Sequence, residues 1–357
     1  MKRSTLVEVL IIRYKKTHND VLGVNQMKAV AARDGKAAVI EVDAPELKEG
    51  HVLIRTEFSG ISPGTEMGII KNSAGKSVMI GYSAVGRIEQ LGEGVTEYEI
   101  GERVACYGSP FVQHAEILAV PTNLIASVSE HVSPQEAAFT GLGAIAIHAL
   151  RIADLRFGES VLVVGLGILG NLVAQIASAA AYRTVGLDLS SERVELLKQQ
   201  GLSQVFERTE DLEEQLDVLT DGHGFDSIIL CAGGSGEELI NSSFEWLRDR
   251  GSVVIVGNLT MEFSRAAMFK KEARVLISRA GGAGRYDNQY ERENRDYPVG
   301  YVRWTEGRNV GEYVRLLSEK RISVQPLITD QFELDQAHHA YEKYESDSKI
   351  LASLIKY

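Results

Sequence analysis

One stretch constrains this chain more than any other: "ESVLVVGLGILGNLVAQIASAAA", residues 159–181. An unbroken apolar run leads directly into glycines at Gly165, Gly167 and Gly170, and an Ala-rich segment follows. The run is too short for a helix and too apolar for an exposed strand, so it predicts a strand buried on both faces, a glycine turn and a helix. In such a unit Gly165 permits the tight turn, Gly167 lets the backbone approach a pyrophosphate, and Gly170 lets helix and strand pack closely. Ile168, Leu169 and Gly170 open the helix, whose free N–H groups and positive partial charge suit phosphate. Asp188 closes the next strand, "RTVGLDLS", where a carboxylate can accept both hydroxyls of a ribose. It also repels a 2′-phosphate, so NAD(H) is expected over NADP(H), with Arg193 nearby working against that preference. Gly257, at the end of "GSVVIVGN", is placed on the cofactor side as well.

The rest of the chain sorts itself around this unit. Residues 27–152 carry short Val- and Ile-rich segments cut by Gly and Pro, such as "AAVIEV", "HVLIRTEFSG" and "VGRIEQLG", which predict a compact antiparallel, barrel-like domain. "SPQEAAFTGLGAIAIHAL" reads as helical, with Ser133 as cap, Pro134 in the first turn and Glu136 completing a capping box. Over 153–299 strands alternate with helices, which calls for a doubly wound parallel sheet; the fold class is α/β. Residues 300–357 are assigned back to the first domain. Residues 1–26 start basic, turn apolar and are interrupted by Glu8, with no cleavage-site pattern, so they are taken as an N-terminal extension.

Composition narrows the possible functions. A formal net charge of -11 argues against a nucleic-acid backbone binder. No apolar run reaches the roughly 18 residues of a membrane span. The two cysteines, Cys106 and Cys231, show no CxxC spacing and read as buried thiols of a reducing, cytoplasmic compartment. The expected partner is a small-molecule substrate, with homo-oligomerisation to a dimer or tetramer.

The order of parts, with "GISPGTE", "GYSAVGRIEQLGEGV", "GERVACYG", "HAEILAVP", "VLVVGLGILG" and "VGLDLS", resembles the medium-chain dehydrogenase/reductase superfamily, the alcohol dehydrogenase-like fold. The likeness runs from Met27 to Tyr357. It implies a GroES-like catalytic domain beside the Rossmann domain, and NAD as cofactor. "GISPGTE" and "GRYDNQYE…DYPVGYVRWTEGRN" are similar to the dehydrogenase half of bacterial bi-domain oxidoreductases. This chain departs from the zinc-dependent members at the ligands themselves: Ser62 stands at the Cys position, Tyr82 at the His and Gly141 at the Glu. Neither Ser nor Tyr is a usual zinc ligand. A substitute set of Cys106, His114 and Glu116 competes with a reading of Cys106 as core, and no metal is expected.

Without zinc, other groups must take the hydroxyl proton and stabilise the developing alkoxide. The candidates are Thr65, Glu66, Tyr82 and His114, with Thr65, Tyr82 and His114 expected to face the nicotinamide. Each has a bland alternative: Thr65 as a turn residue, Glu66 as a cap, Tyr82 as filler of the metal's volume, His114 as a structural imidazole. The Tyr- and Arg-rich segment 285–308 is expected to wall the far side, its aromatics stacking on a sugar or cyclitol and Arg285, Arg303 and Arg308 meeting a phosphate or carboxylate. Interconversion of a secondary alcohol and a ketone on a polyhydroxylated compound follows. The alternatives are a zinc-free alkene or quinone reductase, and a cofactor-binding protein without catalysis.

Overall fold

The computed structural model describes residues 26–347 and 349–357. The expected N-terminal extension therefore lies outside the described residues, except for Gln26, which opens the first strand. Strands β1 (Gln26–Arg33) and β2 (Lys36–Asp43) form an antiparallel hairpin. Its two turn residues, Asp34 and Gly35, both take positive φ, as a two-residue hairpin turn requires. β3 (His51–Gly60), α1 (Pro63–Lys71), β4 (Ser77–Met79), β5 (Ser83–Leu91), β6 (Arg103–Tyr107), β7 (Ile117–Pro121) and β8 (Ile125–Ser127) follow. β3, β5, β6 and β8 pair in that order, β7 flanks β3, and β4 adds to β1.

The helical stretch after β8 is broken in two. α2 (Pro134–Ala137) is a single turn capped by Ser133, and α3 (Thr140–Ala153) begins after Phe139. The capping box is only half made. Glu136 does not turn back to its cap; its Oε1 accepts the Ser323 hydroxyl at 2.8 Å and the N–H groups of Val324 at 2.7 Å and Gln325 at 3.0 Å. A tertiary partner with three donors wins over the local one.

The doubly wound half holds β9 (Ser160–Val164), α4 (Ile168–Ala179), β10 (Arg183–Leu187), α5 (Ser191–Gln199), β11 (Val205–Phe206), α6 (Thr209–Thr220), β12 (Phe225–Leu230), α7 (Glu237–Trp246), β13 (Leu247–Ile255), α8 (Arg265–Lys271) and β14 (Arg274–Ile277). All neighbours are parallel, in the order β11-β10-β9-β12-β13-β14. β9 is central and buried at every position, which is why its sequence is continuously apolar.

After α9 (Asn288–Glu291) and α10 (Glu306–Ser318), the chain returns to the first domain. β15 (Ile328–Glu333), α11 (Ala337–Ser346) and β16 (Ala352–Lys356) follow, and β16 pairs antiparallel with β3. α10 lies against α3, where a Cβ on Gly143 would stand 2.1 Å from the buried Tyr313 ring. Among the described residues no helix is long and apolar enough to cross a membrane.

Candidate active site

A cleft of about 1230 Å³ opens between the two halves. One wall is the glycine turn: Gly167, Ile168, Leu169 and Gly170, with Val256, Gly257 and Asn258 from the end of β13. Each glycine is needed for its own reason. Gly165 has φ +88°, and a Cβ there would stand 2.8 Å from Ala232 N. A Cβ on Gly170 would stand 1.7 Å from Gly165 O, and one on Gly257 1.9 Å from Ala232 O, so both are fixed by backbone contact. Gly167 alone faces open space, on the side where a ligand's phosphates would approach the first N–H groups of α4. Asp188 backs this turn. Its Oδ2 accepts Leu166 N–H at 2.5 Å and its Oδ1 accepts Ser190 N–H at 2.8 Å. Arg193, which lines the cleft, stands 3.4 Å from the same carboxylate. The residues fit the adenosine side of a dinucleotide, with the Asp188 charge partly answered by the protein itself.

The facing wall comes from α1 and the start of β5. Ser62, Thr65 and Tyr82 line the cleft together, and Tyr82 OH donates to Ser62 Oγ. Burial pushes the Tyr82 phenol far above its ordinary range, and the Ser62 hydroxyl pulls it back only in part. Tyr82 is thus a neutral donor near pH 7. Its ring meets Tyr107 edge-on, with centroids 5.9 Å apart.

Glu66 and His114 are brought together, Glu66 at the border of the cleft and His114 behind it. Both side chains are buried, and His114 does not reach the cleft at all, which corrects the expectation that it faces the nicotinamide. Glu66 Oε1 accepts Ser62 N–H at 2.9 Å, while Oε2 accepts the Tyr341 hydroxyl at 2.6 Å and His114 Nε2–H at 3.0 Å. With its proton on Nε2, the imidazole accepts at Nδ1 from the Ser59 hydroxyl, 2.7 Å away, and Ser59 Oγ accepts from Tyr357 OH at 2.9 Å. Tyr341 and Tyr357 are invisible to sequence reasoning because they lie near the far end of the chain with no motif around them.

The residues at the zinc-ligand positions do not fit a zinc ion. Ser62 and Tyr82 are bonded to each other, and at Gly141 a Cβ would stand 2.8 Å from Tyr107 Cδ2 and 3.0 Å from Tyr82 Cδ2. No carboxylate could project from there without displacing both rings. The substitute set is scattered too. Cys106 Sγ donates to Ala84 O at 3.5 Å, and Glu116 Oε2 accepts Lys28 N–H at 2.7 Å. Among the described residues no three His, Cys, Asp or Glu side chains stand close enough to hold a metal.

An alcohol dehydrogenase GroES-like domain model matches residues 48–147, and a zinc-binding dehydrogenase model matches 169–293. This chain belongs to the medium-chain dehydrogenase/reductase superfamily. A probable D-xylulose reductase A of Aspergillus terreus is 26% identical over 347 residues, covering 86% of this chain and 91% of that protein. The crystal structure of galactitol-1-phosphate dehydrogenase from Escherichia coli superposes with a TM-score of 0.76 at 22% identity, covering 93% of this chain and all of that one (100%). An alcohol dehydrogenase from Escherichia coli CFT073, solved with NADH, gives 0.75 at 20% identity over 94% of this chain and 100% of its own. Within the superfamily this member keeps the glycine turn, and its cleft carries the Tyr82 and Ser62 hydroxyls.

The Tyr- and Arg-rich segment divides its labour differently from expectation. Tyr290 is buried, stacks on Tyr297 with centroids 5.5 Å apart, and bonds Thr305 Oγ1 at 2.9 Å. Trp304 lies under the Arg151 guanidinium at 3.5 Å, Tyr301 is exposed, and neither lines the cleft. Arg308 is tied to Asp296 and Val302 O, away from the cleft. Only Arg285 and Tyr286 line it. Arg285 pairs with the buried Glu291 and donates to Ser109 O at 2.7 Å.

Behind that pair sits Glu306, fully buried at the start of α10. Burial first, and the Glu291 carboxylate second, push its carboxyl up to about 8, with Arg285 opposing. The folded protein therefore keeps a proton that the unfolded chain gives up near its ordinary value of 4.5. The stability tied to that proton is full below about pH 4.5, falls as pH rises, and is gone above about pH 8. Glu306→Gln, which keeps the neutral shape, is expected to match wild type in denaturant melts near pH 4.5 and to gain on it towards pH 8, by up to about 1.4 kcal/mol per pH unit. Parallel pH profiles for the two proteins would show that Glu306 titrates normally.

Proposed function

We propose that the protein is an NAD(H)-dependent oxidoreductase that interconverts a secondary alcohol and its ketone in a sugar, cyclitol or other polyhydroxylated compound, and that it works without catalytic zinc. The observation that carries this reading is the Tyr82–Ser62 hydroxyl pair, with Thr65 beside it, sharing one cleft with Gly167–Gly170. The relatives that span nearly the whole chain support it, since a D-xylulose reductase and a galactitol-1-phosphate dehydrogenase are named for polyol chemistry. The neighbour solved with NADH supports the cofactor, and Asp188 supports NAD over NADP.

NAD bound on the glycine turn would take up the hydride. The chain's own part is the oxygen. Ser62 Oγ accepts from Tyr82, which turns the Ser62 proton outward and leaves it free to donate to a carbinol or carbonyl oxygen in the cleft. Because the Tyr82 phenol stays neutral, the pair acts as a fixed donor array for a developing alkoxide, while the carbinol proton would leave to solvent by way of the Thr65 hydroxyl, and return the same way in ketone reduction. Thr65, on the exposed rim of α1, offers the next hydroxyl on a path to solvent. Glu66 and His114 position this array by holding the Ser62 backbone. The exposed edge of β14, with Ile277 exposed, is the natural place for the homo-oligomer that we also propose.

Three outcomes follow. Ser62→Ala and Tyr82→Phe are expected to lower kcat by about 10²-fold or more, roughly 2.7–4 kcal/mol, with NAD(H) affinity unchanged; full activity in both variants would move the proton path elsewhere. NAD(H) should bind more tightly than NADP(H) in fluorescence titrations, and Asp188→Ser should shift the ratio towards NADP(H) by about tenfold or more, the worth of one charge-assisted contact. Elemental analysis of chelator-washed, active protein should show no stoichiometric zinc, and a retained zinc needed for turnover would overturn the zinc-free reading.

A further inference from the structure

The backbone from Ser278 to Tyr286 is a partition. Ser278 and Ala280 face the cleft, while Arg279, between them, faces a second cavity of about 630 Å³. Arg285 and Tyr286 line both. The second cavity is completed by Ala283, Gly284, Asp287, Asn288, Tyr297 and Val302.

Its charges are not equivalent. Asp287 is already engaged, accepting the Tyr297 phenol and, at 2.9 Å, Gln289 N–H. Arg285 is held by Glu291 and Ser109 O. Arg279 has no carboxylate partner among the described residues; its guanidinium lies 5.2 Å from the centre of the Tyr286 ring, and Arg285 lies 4.4 Å from the same ring. Tyr286 itself is largely exposed and sits at φ +67°, a conformation that a residue with a Cβ rarely adopts. An exposed aromatic held in a strained backbone between two guanidinium groups, at the junction of two cavities, is a feature that packing alone does not require. In a protein of net charge -11, an unpaired guanidinium beside satisfied acceptors calls for a ligand that brings acceptors and negative charge.

We propose that the second cavity is an oxyanion subsite. It would hold a phosphate or carboxylate carried by the substrate away from its reacting carbon, with Arg279 as the principal cation and Arg285 and Tyr286 as the sill over which the substrate passes. The inference rests on the alcohol–ketone reading for its role in turnover, but binding at the subsite can be measured without it.

The test has two arms. In the first, inorganic phosphate, and separately acetate, are titrated at constant ionic strength into protein saturated with NADH, which removes the glycine turn as a competing phosphate site. Binding is followed by ligand-observed NMR. Wild type should bind at least one of the two; phosphate alone points to a phosphoryl group, acetate alone to a carboxylate. Arg279→Ala should weaken that binding about tenfold or more, Arg279→Lys should restore part of it, and Arg292→Ala, an exposed arginine lining neither cavity, should change nothing. No binding by either anion, or equal losses in Arg279→Ala and Arg292→Ala, would overturn the subsite. In the second arm, kcat/KM is compared for free polyols and for their phosphate and terminal-carboxylate derivatives. An anionic form should be preferred about tenfold or more, and Arg279→Ala should erase the preference through KM while leaving kcat on free polyols unchanged. Equal turnover of neutral and anionic forms would sink the subsite and leave the oxidoreductase reading standing. Anion binding without turnover of any alcohol or ketone would sink the oxidoreductase reading and leave the subsite standing.

Discussion

The Glu66 carboxylate is fully buried, and much of the catalytic half is arranged around that fact. A buried carboxylate without donors costs several kcal/mol, so the structure must bring donors to it from wherever the chain can supply them. They come from three directions. Ser62 N–H is local, His114 arrives from the segment before β7, and Tyr341 arrives from α11. Through Ser59, the imidazole also engages Tyr357, the last residue. The start of α1, which presents Ser62 and Thr65 to the cleft, is thereby clamped by Tyr341 and Tyr357 from the last elements of the fold. The pairing of β16 with β3 is what delivers Tyr357 to Ser59.

On the other side of the cleft the constraint is steric. The glycine turn exists because two backbones pass closer than any Cβ allows, as the clashes a Cβ would make at Gly170 and Gly257 demonstrate. Gly167 is spared that crowding and faces outward. Close packing at two points and open space at a third are what turn a strand-to-helix connection into a phosphate site. The same reasoning applies at Gly141, with the opposite result. There the absence of a side chain is filled by the rings of Tyr82 and Tyr107, and a larger residue would displace them. The pocket there is thus packed by aromatic rings and carries its own donor pair, Tyr82 and Ser62.

The segment after β14 shows how one loop can serve packing and the cleft at once. Tyr290, Tyr297 and Thr305 lock its base against the first domain, and Asn294 Nδ2 reaches Thr122 Oγ1 at 2.7 Å. With the base fixed, Arg285 and Tyr286 can be held at the cleft in a conformation that a loose loop would not sustain.

The sequence by itself determined the features that depend on near neighbours. The buried β9, the glycine turn, the α4 start and the position of Asp188 are all encoded within about 30 residues, because strand, turn and helix periods are local. The resemblance carried by short motifs extended this to the superfamily and to the positions of Ser62, Tyr82 and Gly141. What only the tertiary structure decided depends on partners distant in sequence. Glu136 has the spacing of a capping box, yet it bonds residues 323–325. His114 has the chemistry of a proton carrier, yet Glu66 and Ser59 consume both ring nitrogens. Among the aromatics of the 285–308 segment, spacing could not tell Tyr290, which is core, from Tyr286, which faces the cleft. A side chain's direction inside a loop follows from what the rest of the molecule packs against it, and no local pattern records that.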